Sequence, residues 1–281
     1  MTDVSSIYDL IRKSEMNDWV GGSDPEAVGD ACYGILKRYV TMNASSRLLD
    51  FGCGIGRVLL SVLKHQPGIG HVTGLDIMPQ VIRFCDEQIA TVLPRTSFEL
   101  MQGSNDHYDE FIKAAGAASP RPQAEILKAY GSHFTTAYAF SVFTHLEKAD
   151  FKSLLGFLAQ VLEPGGELLF TGFLLTPYSR RAIEQRDTLF PFGETAYEED
   201  GQIFVGNVSD RLGFIAFDLA LVEQMVFDAG LVITQVEHGS WTGAGFSSSL
   251  QDVIVCRRPR VRVGDVQHVP TIARPARASA A

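Results

Sequence analysis

The sequence predicts a doubly wound α/β fold: a seven-stranded, mostly parallel sheet with helices on both faces and an antiparallel last strand. Three observations predict it. Arg47-Leu48-Leu49-Asp50-Phe51-Gly52-Cys53-Gly54-Ile55-Gly56-Arg57 reads as a short buried strand, a turn with glycine at alternate positions, and a helix that starts at Ile55 or Gly56. Apolar strand-like runs then alternate with helical patterns across short turns, as in a parallel sheet covered on both faces. The last two strands, 231–238 and 250–257, lie too close in sequence for a helical crossover, so they pair antiparallel.

Ahead of the glycine turn, residues 3–17 predict a helix, because Val4, Ile7, Tyr8, Leu10 and Ile11 fall on one face. Gly21-Gly22 breaks the pattern. Ser23 or Asp24 can cap a second helix with Pro25 in its first turn, running to about Tyr39. Strand 46–51 and helix 55–65 follow, then strand 71–76, helix 79–92 and strand 97–102. Residues 104–133 are less regular, with a helical piece near 108–115. Strand 135–140, helix 147–161, a turn at Glu163-Pro164-Gly165-Gly166 and strand 167–173 come next. Residues 176–216 depart from the rhythm. They are polar and aromatic, with Tyr178, Phe190, Phe192, Tyr197, Phe204 and Phe214, and predict a long irregular insert: a lid, a substrate-binding wall or a plain surface hairpin. Helix 217–229 ends at Gly230, a suitable C-cap.

The organisation expected is an N-terminal helical cap over 1–45, a ligand-binding domain over 46–257 carrying the 176–216 insert, and a disordered tail over 258–281. The chain has 281 residues, 46% of them hydrophobic, enough for a substantial core. No apolar run approaches the ~20 residues of a membrane span, and Met1-Thr2-Asp3-Val4 has no signal-peptide character. A cytoplasmic protein is expected. Cys32, Cys53, Cys85 and Cys256 are scattered, which gives neither a disulfide framework nor a zinc site; no metal is expected. Net charge is −9, yet the chain from Arg257 onward holds six arginines and one aspartate, so residues 1–256 carry −14. An acidic body argues against a nucleic-acid substrate.

The glycine turn can hold a nucleotide-type cofactor, since a backbone without Cβ atoms lies close against a ligand and the following helix presents free N–H groups. A dinucleotide fingerprint wants Gly-x-Gly-x-x-Gly. Here Arg57 stands at the last position and the third glycine falls one residue early, at Gly56. Asp50 precedes the first glycine by two. A pyrophosphate has no use for that carboxylate, whereas an amino or sulfonium cation does. An NAD-dependent oxidoreductase is therefore the weaker alternative.

The stretch Leu48–Arg57 resembles the first motif of the class I S-adenosylmethionine-dependent methyltransferases, whose Rossmann-like fold carries four further matching stations here. These are Asp76 ending the second strand, Ser104-Asn105 after the third, Ser141-Val142-Phe143-Thr144-His145-Leu146 after the fourth, and Leu162–Leu168 before the fifth. A subgroup of bacterial small-molecule and glycan-associated methyltransferases shares Gly21-Gly22, the Ser141–Leu146 run, Gly239-Ser240-Trp241 and Gln251-Asp252. Two positions depart from the pattern: many relatives have an aspartate where Ser104-Asn105 stand, and Phe-Asp where Phe134-Thr135 stand.

The resemblance implies S-adenosylmethionine as methyl donor and S-adenosylhomocysteine as product. It implies that Gly52, Cys53, Gly54 and Gly56 form the cofactor turn, that Asp50 faces the methionine amino group, and that Asp76 accepts both ribose hydroxyls, the alternative being a helix N-cap. Ile77 would pack on adenine and Ser104 or Asn105 would bond its edge. Arg57 would reach the methionine carboxylate or lie on the surface. Trp19 and Gly21 would belong to a flap over the cofactor, or to a linker. The Ser141 carbonyl would face the sulfonium. His145, the histidine just beyond the fourth strand, is the candidate catalytic base, since its unperturbed pKa is near neutrality; otherwise it packs at the next helix start. Tyr178, Arg180, Arg181, Trp241 and Gln251 are candidate walls of the acceptor pocket. A small molecule or saccharide methylated at oxygen is the expected acceptor. A non-catalytic partner of a glycosyltransferase is the alternative, and oligomeric state is left open.

Overall fold

The computed structural model describes residues 4–103, 119–243, 247 and 249–260. Its strands are β1 (Arg47–Phe51), β2 (His71–Asp76), β3 (Thr96–Leu100), β4 (Phe134–Ala139), β5 (Leu162–Gly172), β6 (Leu174–Leu175), β7 (Ala196–Glu198), β8 (Ile203–Val205), β9 (Ile215–Asp218), β10 (Val232–Glu237) and β11 (Asp252–Arg257). Seven of them form one sheet in the order β3-β2-β1-β4-β5-β11-β10. β11 runs antiparallel to β5 and β10, and the other pairings are parallel. The expected fold is thus the observed one. The chain winds outward from β1 to β3, then returns to β4 on the other side of β1. Connections diverge there, and doubly wound sheets open a ligand crevice at that point, beyond the carboxyl ends of the strands.

The helices are α1 (Val4–Arg12), α2 (Met16–Trp19), α3 (Pro25–Tyr39), α4 (Arg57–His65), α5 (Pro79–Cys85), α6 (Gln123–Tyr130), α7 (Lys148–Val161), α8 (Pro177–Gln185) and α9 (Leu219–Asp228). On one face of the sheet α1, α3, α4 and α5 bury Tyr8, Leu36, Leu59 and Val81 against Leu48 and Val72. On the other, α6, α7 and α9 bury Ile126, Leu155 and Val222 against Leu49, Ala137 and Phe170. Central strands covered twice leave little room for polar side chains, which makes a carboxylate at the end of β1 or β2 conspicuous.

Several local expectations are corrected. The helix expected over 3–17 stops at Arg12 and restarts at Met16, because the Ser14 hydroxyl takes the Met16 N–H at 3.2 Å and begins a new turn. The second N-terminal helix forms as expected, capped by Asp24 on the Ala27 N–H at 2.8 Å. The helix expected over 79–92 is α-helical only to Cys85, then widens into a π turn over Asp86–Ala90. Glu163–Gly166 is not a separate turn. β5 begins at Leu162 and takes these residues in as an irregularity, with Gly165 at φ +90° and its N–H on the Arg258 carbonyl at 2.8 Å. The helical piece near 108–115 lies outside the described residues.

The insert over 176–216 is also more regular than expected. It contains α8, opened by a capping box between Thr176 and Ser179. It also supplies β7 and β8 to a second sheet in the order β6-β9-β8-β7. β5 passes through Phe173 into β6, so one run of chain serves both sheets. The scattered aromatics converge: Phe204 and Phe214 pack with Phe173 and Trp241 into a third apolar cluster. Among the described residues no helix is long and apolar enough to cross a membrane.

Candidate cofactor and acceptor site

A cavity of about 750 Å³ opens at the carboxyl ends of β1, β2, β4 and β5. It gathers residues far apart in sequence: Trp19 and Gly21 from the N-terminal segment, Asp50 to Gly54 and Arg57 from the glycine turn, Asp76 and Ile77 at the end of β2, Ser141, Val142, Thr144, His145 and Leu146 after β4, and Gln251 before β11.

The turn has left-handed backbone at Gly52 (φ +70°) and Gly54 (φ +50°). Only glycine holds such angles without strain, and closeness adds to the demand. A Cβ on Gly52 would sit 2.4 Å from Val142 Cγ2, and one on Gly54 3.0 Å from Val20 Cγ1. Gly56 faces the other way, toward Ile89 Cδ1 at 2.6 Å, and permits close packing of α4 on the π turn. α4 itself begins at Arg57, after a left-handed Gly56, so its start falls beyond the expected one.

Asp76 braces this turn from the next strand. Its Oδ2 accepts the Gly54 N–H at 2.8 Å and its Oδ1 accepts the Met78 N–H at 3.0 Å. The residue preceding α5 is Met78, without a side-chain cap, so Asp76 is not the cap of that helix. Burial raises its pKa against the opposing effect of these amides. Asp50 is 3% exposed, and its Oδ2 meets no hydrogen-bond partner among the described residues. Burial lifts its pKa to about 8; the Tyr138 hydroxyl opposes the rise and the charge of Asp76 adds to it. A cation brought against an acid held in that state stabilises its anion.

Arg57 lines the cavity and carries a further task that the sequence did not suggest. Its guanidinium donates to the Val20 carbonyl and, at 3.1 Å, to the Gly22 carbonyl. It thereby clasps the segment that carries Trp19 and Gly21 onto the glycine turn. The segment bends through left-handed Gly21, Gly22 and Ser23. The Arg57 carbonyl is held in turn by the Tyr8 hydroxyl at 2.8 Å.

Ser141 is a strained residue, at φ +55° without being glycine. A closed ring of hydrogen bonds holds it. The Ser141 N–H donates to Thr171 Oγ1 at 2.8 Å, the Thr171 hydroxyl to Gln251 Oε1 at 2.5 Å, and Gln251 Nε2 to Ser141 Oγ at 3.0 Å. Four residues on, His145 lies in a 3₁₀ turn, Phe143–His145, and its Nδ1 meets the Leu212 carbonyl at 2.7 Å. A carbonyl only accepts, so Nδ1 carries the proton and Nε2 is the basic nitrogen of the neutral ring.

Of the acceptor-wall candidates, Gln251 lines the cavity and the rest do not. Trp241 is buried, with Nε1 donating to Asp252 at 2.8 Å. Arg180 pairs with Asp218 at 2.8 Å, while Tyr178 and Arg181 stand outside the lining. Ser104 and Asn105 lie outside the described residues. Sequence reasoning missed Val20, Thr171 and Phe173, and named Phe190 and Phe214 only within the insert expected as a lid, a substrate-binding wall or a surface hairpin. Thr171 alone left a signal, as the polar residue near the end of an apolar strand.

The cavity thus sets the Asp50 carboxylate, whose Oδ2 has no hydrogen-bond partner among the described residues, and the pair Asp76 and Ile77 around a Cβ-free turn. Fold and site together define a methyltransferase of the class I, S-adenosylmethionine-dependent kind. Residues 29–198 match the family model described as a methyltransferase domain, and the chain belongs to that family, whose donor is S-adenosylmethionine. Solved structures share the fold. The PH0226 protein of Pyrococcus horikoshii OT3 is 15% identical with a TM-score of 0.52, over 85% of this chain and 93% of that one. A chain from the complex of the Haloferax volcanii Trm112 methyltransferase activator is 15% identical with a TM-score of 0.53, over 87% and 98%.

Proposed function

We propose that the protein methylates an oxygen of a small molecule or saccharide, with His145 as the base. The observation that carries this is the position of His145 in the same cavity as Asp50 and Asp76, its Nδ1 tied to Leu212 so that Nε2 is the basic nitrogen. When bound, S-adenosylmethionine supplies an electrophilic methyl group: the acceptor oxygen's lone pair forms the new bond to carbon as the carbon–sulfur pair leaves on sulfur. His145 Nε2 takes the hydroxyl proton. Asp50 holds the amino group of the donor's methionine part, and Asp76, already fixed by two backbone amides, accepts from its ribose. The Gly52–Gly54 backbone lies between those two anchors, with Ile77 on the base. Trp19 and Gly21, clasped by Arg57, exclude water from one side. The Ser141–Thr171–Gln251 ring fixes the backbone at the end of β4, where the positive centre of the donor would lie.

Isothermal calorimetry with S-adenosylhomocysteine tests the cofactor half; no heat at roughly millimolar ligand overturns it. For the base, His145→Gln should slow transfer of a labelled methyl group by about 10²–10⁴-fold while leaving S-adenosylhomocysteine affinity unchanged. Unchanged turnover in that variant would remove His145 from the mechanism.

A further inference from the structure

One set of residues lining the cavity is apolar and largely aromatic: Leu154 and Phe157 from α7, Phe173 from the link between the sheets, Phe190 and Phe214 from the insert, and Leu250. Phe173 stacks on Phe214 with ring centroids 4.0 Å apart and planes 17° apart, and Phe190 meets Phe173 edge-on at 5.3 Å. The rings form a fixed apolar surface rather than a set of loose side chains. Thr144, next to His145 in the lining, is fully buried, with an Oγ1 that meets no partner among the described residues.

The charges are as informative as the rings. Among the described residues lining the whole cavity, Arg57 is the one lysine or arginine, and it sits at the cofactor turn clasping backbone carbonyls. The described lining residues carry four carboxylates, Asp18, Asp50, Asp76 and Asp150, and Asp150 comes from the same helix as Leu154 and Phe157. The cations that flank the apolar set in sequence are matched by carboxylates: Arg211 with Glu147 and Glu198, Lys148 with Glu199. An anionic acceptor entering here would lose its hydration beside Asp150 without gaining a counter-charge, which is costly. A bare sugar would leave its many hydroxyls against phenyl faces, with few acceptors to meet them.

We propose, resting on the methyltransferase function above, that the acceptor is an uncharged, arene-bodied alcohol or phenol. Its ring system lies against Phe173, Phe190 and Phe214, and its hydroxyl points toward Thr144 and His145. The volume of about 750 Å³, which has to hold donor and acceptor together, fits a compact molecule of this kind rather than a polymer segment.

Calorimetry on the protein saturated with S-adenosylhomocysteine separates this proposal from the one it rests on. Failure of S-adenosylhomocysteine to bind is failure of the methyltransferase function. With it bound, the probes are 2-naphthol, 2-naphthyl phosphate, 2-naphthylmethylammonium and methyl glucoside. The expected result is that 2-naphthol binds about tenfold or more tighter than each of the others. Phe190→Ala should weaken 2-naphthol by about tenfold without changing S-adenosylhomocysteine affinity, which also shows that the variant folds. Asp150→Lys should narrow the gap between naphthol and naphthyl phosphate. Equal or tighter binding of the phosphate, the ammonium or the glucoside overturns the proposal, as does no binding of 2-naphthol or an unaffected Phe190→Ala.

Discussion

Asp50 and Tyr138 stand opposite one another in the register of β1 and β4, each burying an oxygen that meets no hydrogen bond of ordinary geometry among the described residues. Two such atoms at the centre of a close-packed sheet are costly. Asp50 lines the cavity, so a cation bound there relieves part of that cost. The site is therefore arranged to gain from its ligand at the point where the fold is least satisfied.

A proton should accordingly leave when the cofactor binds. Burial raises the Asp50 carboxyl to about 8, above the ~3.9 of an unfolded chain. The group favours the native state fully below about pH 4 and loses that contribution as pH rises through about 8, so ligand-free stability falls across this window. An amino cation reverses the preference toward the carboxylate. S-adenosylhomocysteine affinity should then rise from about pH 6 to 7.5, with net proton release when calorimetry is repeated in buffers of different ionisation enthalpy. Asp50→Asn should abolish the release and weaken binding by about 1.5–3 kcal/mol.

Gly52→Ala should damage the turn through both angle and contact. The new Cβ would meet Val142 Cγ2 at 2.4 Å on a backbone at φ +70°. A loss of about 1–3 kcal/mol in stability is expected, read as a lower urea midpoint, together with weaker S-adenosylhomocysteine binding. An unchanged midpoint would mean that Val142 moves aside freely.

Arg57→Ala should release the N-terminal segment. Amide exchange should quicken over residues 18–23, since two carbonyl contacts are lost, while the core of β1 and β2 keeps its protection. Arg57→Lys should not restore protection, because one ammonium lacks the fork that reaches both carbonyls.

Trp241→Phe should cost stability and spare the cofactor. The Asp252 carboxylate accepts from Trp241 Nε1, the Leu174 N–H and the Gly239 N–H, all at 2.8 Å. Removing the indole donor leaves a buried oxygen one partner short, at about 1–3 kcal/mol. Thermal melts should show the loss, with S-adenosylhomocysteine affinity unchanged.

The direction of the main strands was legible because they are short apolar runs, several of them closed by a glycine or a carboxylate, joined by helical patterns except between the last two. Asp50 and Asp76 stood out as charges at the ends of such runs. The small second sheet was not legible: β7 and β8 are three residues each, and β8, which pairs with both β7 and β9, is held by packing of Phe204 and Phe214 that no local pattern encodes. Trp241 was legible as unusual but not as structural, because its partner Asp252 is fixed by the fold of a loop. The clasp that Arg57 makes on Val20 and Gly22 was not legible for the same reason, since its carbonyl partners carry no signature.

The reversed direction of β11 decides which ends of the chain meet the ligand and which do not. Its leading end, next to Gln251, opens on the cavity, while Arg257 pairs with Glu167 in register and Arg258 bonds Gly166 at the far edge of the sheet. A fluorophore or carrier domain joined after Arg260 thus starts out from the rim opposite the reaction chamber. Gln251, directly ahead of Asp252, is the complementary position, at the cavity rather than away from it.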